Sequence, residues 1–492
     1  MKKNLAKFFA QLIIEKNPSF NEFDRLYLIN RIYALTGEKN QYISTENVLN
    51  DPLAIRDKLI KVAIKNQKIK NDITGKDILG SQLMSLSVPY PSKINETFWR
   101  KYKLSPNTAT NYFYRLSKDS DYIKTRAIAK NIVYNTKTKY GDIEITINLS
   151  KPEKDPKAIA AAGKNKSTSY PLCQLCMENE GYLGHLGYPA RSEHRIVKFN
   201  LNGEEWGFQY SPYAYFKEHC IFMSLIHRPM HIDRPTFDNL LKLVSMFPEY
   251  TVGSNADLPI VGGSMLSHDH YQGGRHDFPM AKAKIEEPIT LNKYPHLKAG
   301  IVNWPMSVIR LISQNKNKLI DASVYILDLW KNYSDESVDI RAQTNGERHH
   351  TITPIARKRN GNFEMDLVLR DNQTSKKYPD GIFHPHKDVQ HIKKENIGLI
   401  EVMGRAILPA RLKTELREVE KFILNKENNI AAIHLPWAKE IKKQFTGNNE
   451  DDARKFVQKK AGQVFAECLE YAGVFKHDEK GRQAFRKFIN KL

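Results

Sequence analysis

At 492 residues the chain is too long for one compact core, and two to four domain-sized units are expected. A hydrophobic fraction of 41%, with 23 tyrosines and 22 phenylalanines, excludes a chain that is disordered in bulk. Only four cysteines (Cys173, Cys176, Cys220 and Cys468) exclude a disulfide scaffold and fit a reducing compartment, while a net charge of +21 favours anionic partners: nucleic acid, an anionic membrane or phosphorylated small molecules.

The apolar run at the start, through Ile14, is broken by Gln11 and stopped by Glu15-Lys16, so it reads as an amphipathic helix rather than a signal peptide. No stretch approaches the roughly 18 apolar residues of a membrane span, and a cytoplasmic protein without membrane contact is expected. Residues 1–165 form a largely helical N-terminal region. Ser19-Phe20-Asn21-Glu22 has the form of a capping box. Phe23, Leu26, Ile29, Ile32 and Leu35 follow at helical spacing as core positions, and Gly37 ends the helix. Ile143–Ile147 alternates like a strand, and Lys151–Thr168, rich in Lys, Ala and Gly, reads as a flexible connection.

From 166 to 290 the pattern is mixed. Trp206–Tyr210 and Cys220–Leu225 are β-like, and Phe237–Met246 is helical. From 291 to 435 the order partly repeats, with strands at Val308–Ile312, Thr351–Ile355 and Phe363–Leu369 and a helix at Ile320–Trp330. Arg359-Asn360-Gly361-Asn362 is a hairpin turn. Residues 436–492 read as a basic helical tail whose phenylalanines (456, 465, 475, 485, 488) are packing residues. The expected fold is α+β: two similar units with antiparallel sheets, a helical N-terminal region and a helical tail.

His268-Asp269-His270-Tyr271-Gln272 carries the most chemistry. On a strand, His268, His270 and Gln272 share one face. Gly262-Gly263-Ser264 shortly before them is backbone that can approach a phosphate closely. Together they suggest reaction at a phosphorus atom. Cys173-Gln174-Leu175-Cys176 is a C-x2-C pair able to hold one face of a tetrahedral zinc. Two further ligands are needed. His227 and His268 are candidates, and spacing alone does not separate them from His185, His194 and His219.

Cys173–Asn179, His227, Asn255, Gly263-Ser264 and His268–Gln272 resemble, in order and type, the galactose-1-phosphate uridylyltransferase family of the histidine-triad superfamily. The context from Gly253 to His276, the chain length and the helical N-terminal region resemble its class II branch. The two α+β units are then histidine-triad-like. The resemblance implies transfer of UMP from UDP-glucose to galactose 1-phosphate, with ping-pong kinetics through a uridylyl-histidine on His270. It implies phosphate contact by Gln272, and substrate contacts from Asn255, Gly262, Gly263, Ser264, Arg191 and Arg195. A structural zinc on Cys173, Cys176, His227 and His268 and a homodimer follow from the same resemblance, with no organic cofactor.

The chain departs from the class I pattern in places. Asp269 and Tyr271 replace a proline and a glycine, and one extra residue separates Ser264 from His268. A second metal through Glu286 or Glu287 is not expected, because His349-His350-Thr351 puts threonine at a ligand position. His384-Pro385-His386 is expected to be a surface loop. The alternatives are a histidine-triad dinucleoside polyphosphate phosphorylase or hydrolase and, more distantly, a basic zinc-containing nucleic-acid-binding protein. The scattered lysines and the lack of a nucleic-acid motif disfavour the last.

Overall fold

A computed structural model of the chain describes residues 3–37, 42–43, 51–150, 170–263 and 265–492. The expected connection Lys151–Thr168 and the candidate Ser264 lie outside the described residues. No described helix is long and apolar enough to cross a membrane. The chain divides into two compact units. One comprises Met1–Thr125, Pro152–Phe199 and Glu205–Tyr213; the other comprises Arg126–Lys151, Asn200–Glu204 and Ala214–Leu492.

The first unit is built on helices Leu5–Lys16, Arg25–Thr36, Pro52–Lys65, Ile73–Ser85, Pro91–Tyr102 and Pro106–Asp119. Asn4, Asp51, Asp72 and Ser105 each cap the N-terminus of the helix that follows by accepting a backbone N–H. Phe9, Leu12, Ile32, Ile55, Leu59 and Leu83 fill its core. Gly37 ends its helix in the left-handed conformation at φ 78°. Two expectations fail here. The capping box is Asn21 with Asp24, not Ser19 with Glu22. Phe23 and Leu26 are 96% and 68% exposed rather than core. A 3-10 turn at Glu22–Asp24 delays the helix to Arg25, so its buried stripe runs through Leu28, Ile29 and Ile32.

The second unit contains strands β1 (Cys220–Ser224), β2 (Thr251–Gly253), β3 (His270–Gly274), β4 (Ile285–Ile289), β5 (Lys298–Val302), β6 (Val308–Ser313), β7 (His350–Arg359) and β8 (Asn362–Asp371). They lie side by side in the order β4-β5-β6-β8-β7-β2-β3-β1, every pair antiparallel. Asn360 and Gly361, at φ 50° and 77°, make the predicted two-residue hairpin between β7 and β8. Helices α1 (Arg234–Met246) and α2 (Lys316–Lys331) pack on β7. Asp233 and Thr236 form a reciprocal capping box that starts α1.

A smaller sheet pairs Arg405–Leu408 in parallel with Gly141–Ile147, which pairs antiparallel with Ile132–Thr138. The 23-residue helix Glu450–Ala472 packs on it. A Cβ at Gly462 would lie 2.2 Å from Thr136 Oγ1, so only glycine permits this approach. Phe465, Phe485 and Phe488 of the C-terminal helices and Phe475 between them are buried, as packing residues should be, while Phe456 is half-buried. A large antiparallel sheet and a small mixed one, with helices packed on them, make the chain α+β.

Candidate active site and metal cluster

Strand β3 is held on both sides, by β2 and β1, with Gln272 opposite Gly253 and Ile221, and His270 opposite Met223. Alternation along the run sends Asp269 and Tyr271 to the face opposite His268, His270 and Gln272. Tyr271 Oη accepts from Asn239 of α1 at 3.1 Å, and Arg228 Nε donates to Asp269 Oδ2 at 3.3 Å. The two residues that depart from the class I pattern are thus engaged on the far face.

His270 is buried, and its Nδ1 lies 2.7 Å from the carbonyl of His268. A carbonyl only accepts, so Nδ1 carries the proton and Nε2 keeps its lone pair. Among the described residues nothing bonds to Nε2. Burial pushes the pKa of this imidazole down to about 4, which keeps it neutral. Gln272 is half-buried. Its Oε1 lies 3.1 Å from His219 Nε2, and its amide nitrogen has no acceptor among the described residues.

Asn255 is buried, and its Oδ1 accepts the N–H of Leu399 at 2.9 Å. A Cβ at Gly263 would stand 2.8 Å from Asn255 Cγ, and one at Gly262 would stand 2.6 Å from the Ala256 carbonyl. Both positions therefore require glycine. The Gly262 N–H is donated to Leu258 O at 2.8 Å. The Gly262 backbone packs closely against its neighbours, with its own N–H engaged inside the loop. In the first unit, Arg191 is buried with its guanidinium over the Tyr122 ring at 5.7 Å. Arg195 Nε donates to Pro89 O at 2.9 Å, and its Nη1 donates to the carbonyls of Ser192 and His194 at 2.9 and 2.7 Å.

Cys173, Cys176, His227 and His268 form a group able to hold a metal ion, with one candidate ligand atom of each within 4.8 Å of all the others. The two Sγ atoms are 3.5 Å apart, close to the edge of about 3.7 Å that zinc–sulfur bonds of ~2.3 Å give in a tetrahedron. His227 and His268 rings lie 4.9 Å apart. His268 Nε2 lies 2.8 Å from the Ser224 carbonyl, which helps fix the ring. Burial and the neighbouring Cys173 thiol push the Cys176 thiol up to about 12, a penalty on the free thiolate that a bound cation removes. Two soft thiolates with two imidazoles suit zinc.

Of the rival histidines, His185 Nδ1 is 2.9 Å from Leu186 O, and His194 Nε2 is 2.8 Å from Gln209 Oε1. Neither is in the cluster. Glu287 accepts from Arg486 at 2.8 Å, and His350 lies 3.0 Å from Asp371. The His384–His386 segment is not a surface loop: His384 is buried with Nε2 3.2 Å from Asn396 Oδ1, and the His386 ring stacks on Tyr378 at 4.0 Å. The His386 ring also lies 4.2 Å from Tyr471, a neighbour too far along the chain for spacing to suggest. His219 was visible in the sequence only as a rival metal ligand. Its partner is 53 residues away, and no local pattern marks the pair.

The arrangement defines a class: an α+β protein in which a strand paired on both sides presents a neutral, tautomer-locked histidine and, two residues on, an amide nitrogen with no acceptor among the described residues. The sequence profile of the galactose-1-phosphate uridyl transferase N-terminal domain matches residues 18–229, and that of the C-terminal domain matches residues 243–439. A galactose-1-phosphate uridylyltransferase of Lactiplantibacillus plantarum is 59% identical over 481 residues, 98% of each chain. One of Ligilactobacillus salivarius is 55% identical, covering 99% of this chain and 98% of that one. The chain belongs to the galactose-1-phosphate uridyl transferase family. Among solved structures, a yeast Ap4A phosphorylase aligns at 12% identity with a TM-score of 0.31, over 58% of this chain and 85% of that one, a likeness too slight to bear on fold or activity.

Proposed function

We propose that the protein transfers UMP from UDP-glucose to galactose 1-phosphate, giving UDP-galactose and glucose 1-phosphate, by a ping-pong reaction through a uridylyl group on His270. The observation that carries the chemistry is the 2.7 Å bond from His270 Nδ1 to the His268 carbonyl, which leaves the Nε2 lone pair available. Nε2 attacks the α-phosphorus, a P–N bond forms, and the P–O bond to glucose 1-phosphate breaks. The positive charge that develops on the ring is stabilised through Nδ1–H by the same carbonyl. A phosphate oxygen of galactose 1-phosphate then attacks the phosphorus, and the P–N bond breaks to restore neutral His270.

Gln272 serves this step as a donor to a non-bridging phosphate oxygen, where charge develops. Asn255 and Gly263 line the substrate side, with Arg191 and Arg195 retained as substrate-binding candidates. Cys173, Cys176, His227 and His268 hold a structural zinc. That ion supplies no step; it ties down the residue whose carbonyl orients His270. Cytoplasmic location and a homodimer belong to the same proposal.

The test is incubation with UDP-glucose, with and without galactose 1-phosphate, followed by chromatography of the nucleotides and mass spectrometry of the protein. UDP-galactose formed only with the acceptor, and a uridylyl group on the His270 peptide after UDP-glucose alone, are the expected results. Release of UMP without exchange, or turnover of dinucleoside polyphosphates instead, would sink the proposal.

A further inference from the structure

His219 is not accounted for by the chemistry above. It is buried immediately before β1 and reaches Gln272 on the neighbouring strand β3, with Nε2 3.1 Å from Oε1. The backbone N–H of Tyr215 faces the other ring nitrogen, Nδ1, at 3.5 Å. An N–H only donates, so Nδ1 holds a lone pair and the ring proton sits on Nε2. Nε2 therefore donates, and the atom of Gln272 opposite it is the oxygen. Burial holds the His219 pKa down at about 4, so this neutral tautomer persists at neutral pH.

The ring itself is fixed. It stacks on Phe216 with centroids 4.5 Å apart and on Tyr215 at 5.6 Å, both within 30° of parallel. The approach of this segment to β3 is built in. A Cβ at Gly274 would stand 2.5 Å from Glu218 O and 2.8 Å from Phe216 Cε2, so a side chain there would push the His219 segment away.

We propose that His219 is a positioning residue for uridylyl transfer: by donating to Gln272 Oε1 it fixes which end of that amide meets the phosphates. The inference rests on Gln272 acting as a donor to phosphate. The two ends of a glutamine amide are nearly equal in shape and opposite in polarity. With the oxygen held by His219, the NH2 group, which has no protein acceptor among the described residues, is the end left to face an anion. Without His219 the amide can turn, and the oxygen then opposes the negative charge that develops on phosphate.

The experiment is rapid-quench measurement of uridylyl-enzyme formation from UDP-glucose in a double-mutant cycle. His219→Phe keeps the aromatic stack and removes the donor. It should slow uridylylation about 10-fold or more, as loss of an orienting contact does, and change KM by less than about twofold. His219→Gln, whose amide nitrogen falls near Nε2, should recover most of the rate. His219→Asn, whose amide falls near Nδ1, should not. In a Gln272→Ala background His219→Phe should change the rate no further, because the residue acts only through Gln272.

Equal losses in both backgrounds, or no loss in His219→Phe, would overturn the proposal. If His219→Phe does not fold, the Gln and Asn variants decide it, and equal rates for the two would overturn it. Gln272→Ala at the wild-type rate is a distinct result. It would remove the reading of Gln272 itself, on which His219 depends.

Discussion

An imidazole attacks phosphorus only through a nitrogen that is in reach and unprotonated. His270 meets the second condition twice over: its Nδ1 proton is held by the His268 carbonyl, and burial disfavours the doubly protonated ring. In the proposed mechanism, removing the ring removes the bond-forming atom. His270→Ala is expected to cut transfer at least about 1,000-fold, as loss of a nucleophile does in other covalent enzymes, with circular dichroism and melting close to wild type. Transfer at the wild-type rate in a folded, pure sample would show that another atom attacks. The spacing His-x-His-x-Gln made His270 and Gln272 legible, because a strand's two-residue period puts alternate side chains on one face. The fixing of Gln272 was not legible. The signal for it is a pair of ring nitrogens facing groups four and 53 residues away, and only coordinates bring those together.

At the scale of elements, β3 starts at His270, and His268 stands just outside it. The carbonyl that orients His270 stands where the strand ladder begins, and a metal on the proposed cluster would tie down the same residue. A strong chelator should remove about one metal ion per chain, the stoichiometry of a four-ligand site. Melting should fall by several degrees, transfer should decline with it, and added zinc should restore both. Cys176→Ser should show the same loss without rescue by zinc. Full metal content and an unchanged melting point in that variant would mean that the four residues are not a metal centre. The C-x2-C pair was visible in sequence, but the choice of His227 and His268 over His185, His194 and His219 was not, since all five lie within reach by spacing. Local rules served best where chemistry is local. Asn360-Gly361 fixed a hairpin because both residues tolerate positive φ. They failed at Phe23 and Leu26, where a 3-10 turn of three residues displaced the helix start and turned two apolar side chains outward.

At the scale of the whole molecule, composition was enough to read real cores, and the order of predicted strands and helices was enough to read an α+β fold. Neither gave a hint that Gly141–Ile147 pairs with Arg405–Leu408, because parallel pairing across such a distance leaves no periodic trace. Nor did either mark the ion network beneath β6, β7 and β8, since charged residues on strands usually read as solvent-facing. Asp366, fully buried on β8, accepts from Arg310 Nε at 2.6 Å and Nη2 at 2.9 Å, and from Arg357 Nη1 at 2.7 Å. Arg357 Nε donates in turn to Glu364 at 2.6 Å, and Arg310 also holds the carbonyls of Ala283 and Met280. Burial alone would raise the carboxyl, but the two guanidiniums more than offset it and hold the pKa at about 2, below the ordinary 3.8. The folded state thus binds the Asp366 proton more weakly than the unfolded chain does. The stabilisation is present in full above pH 4 and fades as pH falls from about 4 through 2. Asp366→Asn should therefore destabilise the second unit by about 3 kcal/mol near neutral pH, the cost of leaving buried Arg310 without its counter-charge and Arg357 with Glu364 alone. Denaturant unfolding of wild type and variant from pH 7 downward should give a constant gap to about pH 4, then a closing one, because a protonated Asp366 and an asparagine both lack the charge that Arg310 and Arg357 share. A gap that stays constant through that range would mean that packing, rather than charge, accounts for the role of Asp366.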